Sequence, residues 1–327
     1  MDRDQNGLQF LGFLGVYRET SKIIFKWRKI FAQITLVLIL PLCIVLLAHS
    51  LVSHLLSYKI LDHEIKRDDA WDDPPKYVNP SSMLEEEWVA FWLVRFGYFV
   101  FVFIFSLLST LAVVYTVACN YAAKQITFKK VMGGVRRVWK RLIVTFFWFF
   151  ALYCVYYVVA VGLLMAWLVI MSQFSVGPAP GIAVAVILLI LYVVGFVHIA
   201  VIWQLASVIS VLEHLYGRKA IAKSRGLIKG KMGLSVWCFL GVLVYYVLVQ
   251  APFEFLVLLD WVPIGVKIGV GLVCLLLLSM LVLFDLVVQT VIYFVCKSYH
   301  HENIDISCLS DHYEVCLGDS PSIFSAL

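Results

Sequence analysis

The sequence predicts an all-α membrane protein with six transmembrane helices and three basic amphipathic helices on the cytoplasmic side. The 327 residues are 62% hydrophobic and 14% charged, whereas about a quarter of the residues in a soluble domain are charged. Leu142–Leu212 contains no Asp, Glu, Lys or Arg and is interrupted only by a Pro/Gly-rich turn at 175–181. A bilayer core of about 30 Å needs about 20 apolar residues per helix, so this stretch predicts two spans.

The first part of the chain predicts a basic leader and a pair of spans. Apolar residues at helical spacing alternate with bases over 8–29, which predicts an amphipathic helix at the membrane surface within a leader of residues 1–30. The first span follows, and Pro41 is expected to kink it. An acidic loop at 53–87, with nine acids against four bases, separates it from the second span.

The rest of the chain predicts two further pairs of spans. Each pair follows a basic segment, at 124–141 and 213–232, and a polar tail at 297–327 ends the chain. The six spans form a membrane domain over 31–296 and are predicted at 31–51, 88–119, 142–174, 182–212, 234–259 and 268–296. A basic helix before each pair is consistent with a threefold parallel repeat about the membrane normal. The alternative is that any six-span chain with loops of alternating charge shows this rhythm.

The distribution of bases predicts the orientation of the chain. Loops rich in Lys and Arg stay on the cytoplasmic side of a membrane. The leader and the segments at 124–141 and 213–232 are basic, whereas the loops at 53–87, 175–181 and 260–267 are not. Both termini are therefore expected in the cytoplasm. The expected location is the endoplasmic reticulum or the plasma membrane.

A short motif after the fourth span carries a resemblance. Glu213 ends the span, and an Ala-x-x-x-Ser-x-x-Leu-x-x-Gly pattern follows at Ala220, Ser224, Leu227 and Gly230. This segment resembles the bacterial glycerophosphodiester phosphodiesterase membrane-domain and YciC-like families. The whole chain resembles a plant family of uncharacterised polytopic membrane proteins, some labelled polyadenylate-binding-protein-binding. The phosphodiesterase of the bacterial proteins is a separate soluble domain that nothing here matches, so the resemblance does not imply that activity.

Five polar side chains within the predicted spans are candidate substrate-binding residues: Asp285, His198, Gln204, Gln250 and Gln289. An ionisable group at the depth of Asp285 costs about 2.5–3.5 kcal/mol on insertion scales. It predicts an ion, proton or head-group site, and the alternative is an interhelical hydrogen bond to Gln or His. His198 could pair with Asp285 or be a packing residue.

Two charged residues, Arg95 and Glu254, fall near the outer ends of spans. We expect each to reach the interface separately, because a long basic side chain can extend to the head groups. An ion pair between them is the alternative.

The basic segments predict contacts with anionic lipid head groups, at about 1 kcal/mol per base near the surface. The alternative is that these bases only set the topology. Nucleic-acid binding is not expected, because the bases are held against head groups. The candidate lipid-binding residues are Lys129, Lys130, Arg136, Arg137, Lys140, Arg141, Arg218, Lys219, Lys223 and Arg225.

The sequence predicts no enzyme, metal or cofactor. It contains no Gly-rich phosphate loop, no His-Glu-x-x-His and no Gly-x-Ser-x-Gly. The Cys and His residues of the tail lack compact zinc spacing. The predicted function is non-enzymatic handling or transport of a lipid or small solute. The alternative is a membrane scaffold or adaptor that recruits cytosolic partners through its basic helices and tail.

Overall fold

The computed structural model describes residues 11–53, 80–121, 128–174, 178–213, 215–258 and 263–300. Every regular element in these ranges is a helix, which confirms the all-α prediction for them. The helices are α1 (Phe13–Lys26), α2 (Arg28–Ser53), α3 (Pro80–Tyr121), α4 (Phe128–Phe174), α5 (Pro178–Leu212), α6 (Arg218–Leu227), α7 (Met232–Leu258) and α8 (Ile264–Tyr299). Most of the acidic loop at 53–87 and nearly all of the tail at 297–327 lie outside the described residues.

Six of these helices are long and apolar enough to cross a membrane, as a polytopic membrane protein requires. The shortest apolar segment has 25 residues, and at 1.5 Å per residue it is about 38 Å long, which exceeds the bilayer core. The segments are Arg28–Ser53, Trp92–Tyr121, Trp139–Gln173, Ala179–Leu212, Met232–Leu256 and Ile264–Tyr299. Each overlaps one predicted span.

Prolines account for two local features of the helices, the start of α3 and a change of helical period inside α2. α3 begins at Pro80, inside the segment predicted as loop, because the fixed φ of proline suits the first turn of a helix. In α2, a π-helical segment at Thr35–Ile39 comes just before Pro41. Proline lacks an N–H and clashes with the carbonyl four residues earlier, so a local change of helical period is expected there.

The three basic segments differ from one another in structure. α1 ends at Lys26, and α6 is a separate ten-residue helix. The segment at 124–141 contributes no separate helix among its described residues, because α4 runs without a break from Phe128 to Phe174. The threefold repeat stays a prediction.

The chain divides into two compact units. The first comprises Met1–Arg28, Thr110–Val242 and Phe284–Leu327, and the second comprises Lys29–Ser109 and Leu243–Leu283. The largest fully buried side chains of the first unit include Leu111, Leu205, Ile209, Tyr293 and Phe294. Those of the second unit include Phe31, Ile34, Ile39 and Leu278.

Within the first unit, α4 and α5 form an antiparallel pair. The Tyr156 hydroxyl of α4 donates a hydrogen bond of 2.6 Å to the Tyr192 carbonyl oxygen of α5. Trp203 of α5 contacts the rings of Phe146 and Phe149, with centroid distances of 5.6 and 4.4 Å. These aromatic contacts set the register of the pair near the end that leads to α6.

Candidate functional site

Two polar side chains on different spans meet within the first unit. The Gln204 amide of α5 donates to the Asp285 carboxylate of α8, with 3.2 Å between Nε2 and Oδ1. Both side chains are half-buried. The contact is the interhelical hydrogen bond that the sequence offered as the alternative to a ligand site at Asp285.

The Asp285–Gln204 pair lies far from the charged end of its helices. Gln204 precedes Glu213 by about 14 Å of helix, and Asp285 precedes Lys297 by about 18 Å, at 1.5 Å per residue. Glu213 and Lys297 contact each other at 3.4 Å, so the charged ends of α5 and α8 lie at the same height along the two helices, which we call the charged level. At the same rise, Asp285 lies about 5 Å from the middle of the span Ile264–Tyr299, whereas Gln204 lies about 13 Å from the middle of Ala179–Leu212 and nearer the charged end.

The other three candidate substrate-binding residues have different surroundings. Gln289 is one helical turn from Asp285 on α8 and is 6% exposed, so it extends the same face toward the charged level. His198 is exposed, and its six-residue offset from Gln204 on α5 turns it about 120° away. The structure therefore gives Asp285 the partner Gln204, and the predicted couple of His198 with Asp285 is not formed.

Gln250 belongs to the second unit, where it makes two contacts. Its Nε2 lies 3.2 Å from Ser50 Oγ and 3.0 Å from Glu254 Oε1. Because Gln250 and Glu254 are four residues apart on α7, the second contact is a within-helix pair. Glu254 therefore has an amide partner on its own helix.

Sequence reasoning missed the contribution of the leader to this region. The Tyr17 hydroxyl of α1 donates to the Cys238 carbonyl oxygen of α7 over 3.1 Å. The Tyr17 ring lies 5.3 Å from the ring of Phe284, the neighbour of Asp285 in α8. Burial, followed by the nearby Cys238 and Asp285, raises the pKa of Tyr17 to about 12. The signal available in the sequence was a tyrosine on the apolar face of a basic helix.

The leader helix also differs from the predicted surface helix. α1 buries Val16, Thr20 and Ile23 within the first unit, and it leaves Leu14 and Phe25 exposed at 78% and 75%. One face of the leader therefore packs against other helices.

A cluster of charged and hydroxyl groups surrounds Glu213, where α5 ends. Its carboxylate contacts Lys223 of α6 at 2.8 Å and Lys297 of α8 at 3.4 Å. It also accepts a hydrogen bond of 2.8 Å from the Tyr293 hydroxyl. Burial alone would raise the pKa of Glu213, but the hydrogen bonds from Lys223 and Tyr293 and the charges of both lysines outweigh it, so the pKa is lowered.

The motif after the fourth span explains how α6 is attached. Ala220, Ser224 and Leu227 form its buried face, and the Ser224 hydroxyl donates to the Ile202 carbonyl oxygen over 2.8 Å. Gly230 has a φ of 90°, and a Cβ there would lie 2.6 Å from the Tyr299 ring. Only glycine suits both the left-handed backbone and this close approach.

Both ends of α6 have further partners. The Gly217 N–H donates to Thr145 Oγ1 over 2.9 Å at the start of the helix. His300 Nε2 lies 3.0 and 3.1 Å from the carbonyl oxygens of Leu227 and Lys229. Since the last carbonyls of a helix lack intrahelical partners, His300 satisfies this end of α6.

The candidate lipid-binding residues divide into four groups. Lys223 differs from the prediction, because its ammonium group contacts Glu213 instead of standing free at the surface. Arg141 is half-buried, and the side chains of Lys129, Lys130, Arg136 and Arg137 lie outside the described residues. The exposed members are Lys140, Arg218, Lys219 and Arg225, and the Arg218 guanidinium lies 5.3 Å from the centre of the Trp148 ring.

Comparison with known proteins places the chain in a family. No curated protein and no solved structure matches it, and the resemblance to plant and bacterial families stays a prediction. Residues 1–325 match the family model described as a domain of unknown function (DUF8558). Because the match covers nearly the whole sequence, the chain, whose described residues form six helices long enough to span a membrane, belongs to the DUF8558 family.

Proposed function

We propose that the chain handles or transports a lipid or a small solute within the membrane, without enzymatic chemistry. The observation that carries this proposal is the Asp285–Gln204 pair, which joins two spans within their apolar length and holds a carboxylate near the middle of α8. A carboxylate at this depth is unfavourable by about 2.5–3.5 kcal/mol and is rarely kept facing lipid. A polar ligand or an ion provides a reason for its presence.

The chemistry of the pair suits a small polar group. The Gln204 amide occupies one side of Asp285 Oδ1, and an ionised carboxylate offers about four acceptor positions on its two oxygens. The remaining positions can accept hydrogen bonds from a head group, or they can bind a cation or a proton. Gln289, buried one turn away, supplies a further amide on the same helix.

The basic end of the first unit provides a second lipid contact in this proposal. We place it on the cytoplasmic side, with both termini, in the endoplasmic reticulum or plasma membrane. The exposed bases Lys140, Arg218, Lys219 and Arg225 would contact anionic head groups, each with about 1 kcal/mol of attraction.

Flux measurements on purified protein in vesicles test the proposal. A panel of fluorescent lipids and small ions is screened, and Asp285→Asn is compared with the wild type for any species that moves. We expect Asp285→Asn to lower the rate at least tenfold, because it removes the charge and keeps the shape. Glu254→Gln is the matched control, since Glu254 also accepts from a glutamine within a span, and we expect a change below twofold. Equal rates for the wild type and Asp285→Asn, or no flux of any species, would contradict the proposal.

A scaffold or adaptor is the second candidate function. The observation that favours it is the attachment of α6, which buries one face and leaves Arg218, Lys219 and Arg225 exposed on the other. A fixed basic helix suits an acidic cytosolic partner. Proximity labelling compares the wild type with a variant that carries Glu at these three positions. Cytosolic proteins that are labelled with the wild type and not with the variant would favour the scaffold function. An identical set of labelled proteins would oppose it.

A further inference from the structure

The first half of α1 lies against α7 and against α8, the helix that carries Asp285. Tyr17 donates a hydrogen bond to the Cys238 carbonyl oxygen of α7, and its ring packs at a tilt against Phe284 of α8. Phe13, one turn earlier, contacts the Tyr17 ring with centroids 4.5 Å apart. The leader therefore touches both α7 and α8 beside the residue that carries the carboxylate.

Gly241 of α7 makes this close approach possible. A Cβ at this position would lie 2.4 Å from Tyr17 Oη and 3.4 Å from Phe13 Cζ. Contacts below 3.0 Å require one side to move, so any larger residue at 241 would displace Tyr17. The glycine and the tyrosine form a matched pair across α1 and α7.

Tyr17 lies beside the residue that precedes Asp285, because its ring centroid is 5.3 Å from that of Phe284. Asp285 contributes to the raised pKa of Tyr17, after burial and Cys238. The tyrosine therefore contacts α8 next to Asp285 and also contacts α7. Val16, Thr20 and Ile23 continue the buried face of α1 toward Lys26.

We propose that α1 is a built-in cover over the Asp285–Gln204 pair, held in place by Tyr17 against Gly241 and Cys238. This inference rests on the proposed function, because it assigns the regulation of the same site. A lipid head group or solute then reaches the carboxylate after α1 has moved away from α7. The cover is an autoinhibitory contact within the chain.

A labelling experiment tests the cover without depending on flux. Asp285→Cys is introduced into full-length protein whose native cysteines are replaced by serine or alanine, and its reaction rate with a small polar thiol reagent is measured. Adding Gly241→Ala should raise that rate at least fivefold, because the new Cβ displaces Tyr17. Gly233→Ala is the matched control on the same helix, since its Cβ would meet nothing within 4 Å, and it should leave the rate within twofold.

Flux is then measured with Asp285 intact. Gly241→Ala should raise the flux at least threefold. The double variant Gly241→Ala/Tyr17→Phe should have a flux close to that of Tyr17→Phe alone, because loss of the hydroxyl makes room for the new Cβ. If Gly241→Ala does not give folded protein, Tyr17→Ala takes its place with the same expected increases in labelling and flux.

The two readouts separate the cover from the proposed function. Faster labelling without flux in any variant would support the cover and overturn transport. An unchanged labelling rate in both Gly241→Ala and Tyr17→Ala would overturn the cover, whatever the flux. An equal increase in Gly233→Ala would also overturn it, because the effect would then belong to the glycine replacement itself.

Discussion

Glu213 shows how one residue can join three helices. It stands at the end of α5, and its partners are Lys223 of α6 and both Tyr293 and Lys297 of α8. The carboxylate side chain is 14% exposed, so water screens these contacts less than it screens a surface pair. Glu213 therefore connects α6 to the spans.

We predict that Glu213→Gln lowers the free energy of unfolding by about 2 kcal/mol at pH 7, because two lysines lose a largely buried counter-charge. Thermal unfolding in detergent measures the change. Glu19→Gln is the control, since the Glu19–Lys22 pair at 3.3 Å is more exposed and such pairs contribute about 0.3 kcal/mol. Equal losses in the two variants would contradict the role of Glu213.

The same comparison has a defined pH dependence. The folded pKa of Glu213 lies below its ordinary value of 4.5, so its contribution is fully present above that value and is lost as the pH falls through the folded pKa. The difference in melting temperature between the wild type and Glu213→Gln should persist from pH 7 to about 4.5 and shrink below it. A difference that has already vanished at pH 6 would be inconsistent with the lowered pKa.

At the scale of elements, the α4–α5 pair depends on a third close contact between a glycine and a tyrosine, after Gly230 with Tyr299 and Gly241 with Tyr17. A Cβ at Gly195 would lie 2.7 Å from Tyr156 Oη, and that hydroxyl bonds to the Tyr192 carbonyl oxygen. The small residue lets the two helices approach closely, which is a common basis of helix packing in membranes.

We predict that Gly195→Ala destabilises the protein by about 1–2 kcal/mol, because the tyrosine must move and its hydrogen bond weakens. Thermal unfolding in detergent is again the measurement. Gly162→Ala on α4 is the control, since a Cβ there would meet nothing within 4 Å, and its effect should be neutral or slightly stabilising. In a Tyr156→Phe background the loss from Gly195→Ala should become smaller. An undiminished loss would place the clash elsewhere.

At the scale of the whole molecule, the orientation of the spans decides which residues face the cytoplasm, and the proposed lipid contacts of the basic residues depend on it. If α4 and α5 each cross the membrane once, Lys140 and Arg225 lie on one side and Ala179 lies on the other. All three side chains are exposed, so cysteine substitutions at these positions are suited to labelling.

We predict that Lys140→Cys and Arg225→Cys react from the cytoplasmic side and that Ala179→Cys reacts from the opposite side. Sealed vesicles of known orientation, an impermeant maleimide and a chain without native cysteines provide the measurement. Reaction of positions 140 and 225 from opposite sides would refute the predicted topology and the assignment of the basic ends.

Much of the fold could be predicted, because crossing a bilayer depends on apolar length along a single helix. The predicted fourth span at 182–212 lies within the observed Ala179–Leu212. The candidate site was predicted less completely. Asp285 was identified from its polarity and depth, whereas Tyr17 was not, because nothing local in the leader indicates contact with α7 and α8.

Sequence by itself determined that the described part of the chain is helical and contains six segments able to cross a membrane, because hydropathy and charge are properties of each segment alone. Tertiary structure decided the partners. It paired Asp285 with Gln204 instead of His198, joined Lys223 to Glu213 and brought α1 against α7. These contacts depend on which helix faces meet in three dimensions. A single sequence does not indicate which of its distant residues will be in contact.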